Sequence, residues 1–83
     1  MSFAHVADAQ LRSILEQESC DEDSVCYALT KTKEAVDADQ TNEDVSYETW
    51  NARNEAYEDA EYEWNEEGDA AAAIESLKQC WVV

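Results

Sequence analysis

From Glu43 to Glu67 the chain reads E-D-V-S-Y-E-T-W-N-A-R-N-E-A-Y-E-D-A-E-Y-E-W-N-E-E, a tract with neither Gly nor Pro. At about 100° per residue, Trp50, Tyr57 and Trp64 fall within roughly 40° of one another, with Ser46, Thr49, Arg53, Ala56 and Ala60 beside them. This spacing predicts one helix whose aromatic face turns to a core. Asp44, Glu48, Glu55, Glu58, Asp59, Glu63 and Glu66 fall opposite, in a stripe about 140° wide, and Arg53 is the only base in the tract. Like charges four apart on a helix repel by about 0.2–0.5 kcal/mol per pair. Glu55 with Asp59, Asp59 with Glu63, and Glu63 with Glu67 are such pairs. Exposed helices ordinarily intersperse Lys and Arg to relieve that repulsion, and here the relief is missing.

The whole chain is short enough for one domain with one core: 83 residues carry a formal net charge of -16. Self-repulsion on this scale works against compaction, so salt is expected to stabilise the fold. Three Trp, four Tyr and one Phe, with regularly placed aliphatics, argue for a folded chain rather than a disordered acidic one. The charge disfavours nucleic acid and anionic membranes as direct ligands and points to a basic partner. With no apolar run of spanning length and no signal-peptide pattern, the expectation is a cytoplasmic protein.

Ser2 can cap a first helix over about Phe3 to Glu18, gathering Phe3, Ala4, Ala7, Leu11, Ile14 and Leu15 on one side and leaving His5 off it. Asp21, Glu22, Asp23 and Ser24 supply charge and caps for a second helix, with Val25, Leu29, Thr32 and Val36 as its inner stripe and Ala28 and Ala35 alongside. Asp37 to Asn42 breaks the pattern, and Thr41 or Asn42 can cap the acidic helix. Gly68, the only glycine, stands where that helix should end in a left-handed residue. Asp69 then caps a last helix through Ala70, Ala73, Ile74, Leu77 and Trp81, and Val82 and Val83 are expected to tuck against the core. A short strand over residues 45–50 or 81–83 is the alternative local reading.

These elements predict an all-α fold, a compact bundle of three or four helices with one long acidic helix, in a single domain over residues 1–83. Its expected core is Leu11, Ile14, Leu15, Val25, Leu29, Val36, Trp50, Tyr57, Trp64, Ile74, Leu77 and Trp81. A homodimer would complete the burial if the aromatic stripe outruns the short helices.

Catalytic chemistry has no foothold in this sequence. There is one His, no Gly-rich phosphate loop, and no Ser/His/Asp or Cys/His set, and the carboxylates lie on faces expected to be exposed rather than in an apolar pocket. Cys20, Cys26 and Cys80 lack metal or disulfide spacing and read as small buried or half-buried thiols. No catalytic residue, cofactor or metal is therefore assigned. One segment, Asp37 to Glu48, resembles an EF-hand calcium loop through Asp37, Asp39, Thr41 and Glu48. It departs at Asn42, where Gly should turn the chain, and at Asp44, where an apolar residue should anchor it.

The acidic stripe carries the functional reading. A helix of 25 residues would be about 37 Å long, a span over which one DNA strand carries roughly eleven phosphates. The tract holds ten carboxylates, Glu43, Asp44, Glu48, Glu55, Glu58, Asp59, Glu61, Glu63, Glu66 and Glu67, matching in linear density although not all share a face. Tyr62 lies within the stripe and Tyr47 at its margin. In size, charge and Trp/Tyr-studded acidic helix, the chain resembles the small acidic proteins of phages and mobile elements that mimic DNA, among them inhibitors of restriction enzymes and of CRISPR surveillance complexes. The resemblance covers bulk properties and no diagnostic motif. It implies a stoichiometric inhibitor, acting in a host cytoplasm, that occupies the DNA-binding site of a basic partner. The expected contact residues are Asp44, Glu48, Glu55, Glu58, Asp59, Tyr62, Glu63 and Glu66, and reversing Glu55, Asp59 and Glu63 to Lys should abolish the contact. The rival reading is an antitoxin or adaptor that binds through an apolar patch, where truncating Tyr47, Tyr62 or Trp81 would matter more.

Overall fold

The computed structural model describes residues 3–82 and is an all-α bundle of four helices, α1 (Ala9–Gln17), α2 (Glu22–Thr41), α3 (Tyr47–Asn65) and α4 (Ala70–Val82). Neither alternative strand forms among the described residues. Helices α3 and α4 make the most extensive helix pair, and α2 lies across both.

The first expected helix starts six residues late. Asp8 takes an extended backbone and its carboxylate accepts the Leu11 N–H at 2.9 Å, so α1 begins at Ala9. The expected cap, Ser2, lies outside the described residues. Residues 3–8 form a turned strap in which the Val6 N–H bonds the Phe3 carbonyl at 2.9 Å. The break has a packing reason. A continuous helix would face Ala4 and Ala7 inward and leave Val6 off the core side, whereas the strap buries Phe3 and Val6 and exposes both alanines. Arg12 holds the strap by donating Nε and Nη2 to the Val6 carbonyl at 3.1 and 2.9 Å. His5 is exposed, with Nε2 2.6 Å from the Trp81 carbonyl.

Asp21 caps α2 as the sequence suggests, accepting the Ser24 N–H, and Val25, Ala28, Leu29, Thr32 and Val36 form the buried stripe. The expected break after Val36 does not occur. No Gly or Pro interrupts residues 37–41, and an ion pair between Asp39 and Arg53 of α3 fastens the last turn, so α2 continues to Thr41. Asn42 is the C-cap of α2, and its side chain accepts the Asp44 N–H at 2.9 Å, so neither Thr41 nor Asn42 caps the acidic helix. Ser46 does, accepting the Thr49 N–H at 3.2 Å. With Asp37, Asp39 and Thr41 on α2 and Glu48 on α3, the segment resembling a calcium loop is not a loop.

Gly68 has φ +65° and ends the acidic segment, and Asp69 caps α4 by accepting the Ala72 N–H at 3.0 Å, both as expected. The expected core residues are buried, except that Trp50, Trp64 and Trp81 are half-buried against it. Phe3, Val6, Ala28, Ala60, Ala73 and Cys80 add to that core. Thr32 is the one polar side chain in it, and the Trp81 indole donates to its hydroxyl at 2.9 Å. Val82 is 38% exposed and does not tuck inward, and Val83 lies outside the described residues.

Candidate protein-interaction surface

Nineteen residues make α3 about 28 Å long, shorter than the 25-residue tract suggests. Its hold on the bundle is narrow. Only Tyr57 and Ala60 are fully buried, with Arg53, Ala56, Trp50 and Trp64 half-buried around them. The opposite side is open. Glu48, Glu55, Asp59, Tyr62 and Glu66 are all exposed, and steps of seven, four, three and four residues keep them on one line along the axis, about 27 Å from end to end. Glu58 is exposed on one flank of that line.

Three of the expected contact residues sit differently from the sequence reading. Asp44 is exposed but lies in the turn before α3, and Glu66 is the helix C-cap. Glu63 turns toward α4 and accepts a hydrogen bond from the Ser76 hydroxyl, so it braces the helix pair rather than facing outward. Sequence reasoning left Glu61 out of the contact set, and it is exposed. The Tyr57 hydroxyl donates to Glu61 Oε2 at 2.8 Å, and burial together with that carboxylate pushes the Tyr57 pKa up. Asn51 and Asn54 donate along the helix to Glu55 and Glu58 at 3.5 and 3.1 Å, which orders those carboxylates without discharging them.

The five bases of the chain are engaged elsewhere. Lys31 meets Glu34 at 3.4 Å and Lys33 meets Asp37 at 4.0 Å, both within α2. Lys78 bridges Glu18 at 2.8 Å and Glu75 at 3.0 Å, which raises the pKa of its ammonium and lowers that of Glu18. Arg53 pairs with Asp39 on the inward side, and Arg12 holds Val6. Among the described residues no ion pair joins a base to a carboxylate of α3. The acidity is not confined there, since eighteen of the chain's 21 carboxylates are exposed. On α3 unpaired carboxylates fall in one line along a helix, and no base is paired to them among the described residues.

Apolar surface is sparse. Tyr47, 73% exposed, leans on Trp50 with ring centroids 5.7 Å apart, and the two line a shallow groove with Val45, Gln40 and Asp39. The Trp50 Nε1 is buried there without an acceptor among the described residues. Tyr62 is 60% exposed. Cys20 and Cys26 are exposed, contrary to expectation, while Cys80 is buried and its thiol pushed up to about 12 by desolvation. Both exposed thiols are free, Cys20 donating to the Glu18 carbonyl at 3.2 Å, and no group of three or more His, Cys, Asp or Glu among the described residues could hold a metal ion. No helix among the described residues is long and apolar enough to cross a membrane.

In comparison with known proteins, no family model, no curated protein and no solved structure matches the chain.

Proposed function

We propose that the protein is a stoichiometric inhibitor whose α3 face takes the place of nucleic acid in the basic site of a nucleic-acid-binding partner, a host defence complex of the CRISPR or restriction type. One observation carries this reading: a line of carboxylates about 27 Å long, exposed along a helix, with which no base forms an ion pair among the described residues. Lys and Arg side chains placed to grip phosphates form charge-assisted hydrogen bonds with carboxylates equally well. A folded helix presents those acceptors already ordered, and the net charge of -16 steers a cationic partner toward it.

The test is displacement of DNA. A fluorescent duplex bound to a purified CRISPR surveillance complex or restriction enzyme is titrated with the protein at several salt concentrations. Stoichiometric release that weakens steeply with salt supports the proposal, and the Glu48→Lys, Glu55→Lys, Asp59→Lys triple variant should lose it. Glu48 replaces Glu63 in this triple because reversing Glu63 would also break its contact with Ser76. A triple variant that releases DNA as well as the wild type overturns the proposal.

The exposed Tyr47 and its groove favour a second reading, an antitoxin or adaptor binding through an apolar patch. In that case Tyr47→Ala outweighs charge reversal and binding is insensitive to salt. Trp81 drops out of this set, because its indole is committed to Thr32.

A further inference from the structure

Charge mimicry alone does not call for an exposed aromatic ring. Two of the four tyrosines are anchored through their hydroxyls: Tyr27 donates to Asp8 at 2.8 Å and Tyr57 to Glu61 at 2.8 Å. Tyr62 is not anchored. It is exposed in mid-stripe and takes part in no hydrogen bond or ring contact among the described residues. Its neighbours at three and four residues along the helix are Glu58, Asp59, Asn65 and Glu66, a spacing that brings side chains to about 5–6 Å at Cβ. The ring therefore stands among three carboxylates and no cation.

A ring and a single acid of this kind meet a cation on α2. There Lys31 Nζ lies 5.6 Å from the centroid of the Tyr27 ring and 3.4 Å from the Glu34 carboxylate, so one cation is shared by an aromatic face and an acid. Around Tyr62 the ring and the acids are repeated and the cation is not. We propose that the missing cation comes from the partner, and that Tyr62 with Glu58, Asp59 and Glu66 is the docking point for one of its arginine side chains. This rests on the reading of α3 as the contact face.

Arginine is favoured over lysine by shape. A guanidinium is planar and weakly hydrated, so it lies flat on a phenol ring while its edge donates in pairs to a carboxylate. An ammonium can sit over a ring and meet one carboxylate, as Lys31 does, but it is compact and strongly hydrated and can neither lie flat on the ring nor donate a parallel pair of hydrogen bonds. Arginines that read single-stranded or splayed nucleic acid stack on bases in this way while meeting phosphates. On this account Tyr62 stands for a base and its three neighbours stand for phosphates.

The test uses oligo-arginine and oligo-lysine peptides of equal length, titrated calorimetrically at low salt into the wild type, Tyr62→Ala, Tyr62→Phe, and a Glu48→Lys, Glu55→Lys double variant. The wild type should prefer the arginine peptide. Tyr62→Ala should weaken that peptide by about two- to fivefold and the lysine peptide little, erasing the preference, while Tyr62→Phe keeps the ring face and the preference. Because Tyr62 is exposed, its variants should keep the wild-type helical circular dichroism. An unchanged preference in Tyr62→Ala overturns the arginine docking point. If the double variant then weakens both peptides, the α3 reading survives that loss. If neither peptide binds the wild type in a salt-dependent way, both fall together.

Discussion

Asp59 offers a way to measure what the acidic face costs the fold. It is exposed, forms no hydrogen bond or ion pair among the described residues, and has Glu55 and Glu63 four residues away on either side. Asp59→Asn is isosteric and nearly neutral in helix propensity, so it removes a charge and little else. Two like-charge pairs are relieved, each worth about 0.2–0.5 kcal/mol, giving about 0.4–1 kcal/mol of added stability in dilute buffer. For a domain of this size 1 kcal/mol moves the melting temperature by about 4–8 °C, so the variant should melt roughly 2–8 °C higher.

Salt supplies the control for that gain. The Debye length is about 30 Å at 0.01 M and about 3 Å at 1 M, shorter than the spacing of these carboxylates, so the gain should nearly vanish at high salt. Circular dichroism melts of both proteins at the two concentrations make the measurement. A variant that melts no higher than the wild type in dilute buffer refutes the reasoning, and so does a gain that persists unchanged in 1 M salt. Under the proposed function the same substitution should also weaken the contact with a basic partner, so stability and binding would move in opposite directions at one residue.

Two other substitutions probe the frame that holds α3. Gly68→Ala meets open space but a left-handed φ of +65°, so only backbone strain is added; a net loss of about 1 kcal/mol should appear as a lower urea midpoint with an unchanged slope. Asp8 is held below its ordinary pKa of 3.8, first by the Leu11 N–H and then by the Tyr27 hydroxyl, so its contribution is present above 3.8 and is lost as pH falls through the lower folded value. The stability gap between wild type and Asp8→Asn, read from urea midpoints between pH 6 and about 3, should therefore close at the acid end.

Where a single helix decided its own ends and faces, the sequence was legible. The inner stripe of α2, the Gly68 stop and the Asp69 cap follow from 3.6-residue periodicity and local hydrogen bonding, and all three are present. The departures come from contacts between elements. Nothing local in Phe3 to Ala7 forbids a helix; it is the greater apolar volume of Val6, turned inward and held by Arg12, that favours the strap. Four of residues 37–41 are polar, yet polarity does not end a helix, and the ion pair that fixes the segment lies across the bundle on Arg53. The candidate surface divides along the same line. Exposure of Glu48, Glu55, Glu58 and Asp59 follows from their angle on α3, whereas the turn of Glu63 toward Ser76 depends on where α4 packs.

The pairing of many carboxylates with many aromatics in so short a chain then has one physical cause. A helix that gives about 140° of its circumference to exposed acids must attach itself through what is left. On α3 that remainder is a seam in which two residues are fully buried. Aromatic rings bury about 150–250 Å² each, more than any aliphatic side chain offers at the same position. Trp50, Tyr57 and Trp64, spaced seven apart, place that area along the seam, and Arg53 with Asp39 and Glu63 with Ser76 fasten its edges. The tryptophans are thus the counterpart of the acidic face, since they supply burial from the narrow part of the helix circumference that the acids leave. Under the proposed function, that seam is what would hold the carboxylates in a fixed display toward a basic partner.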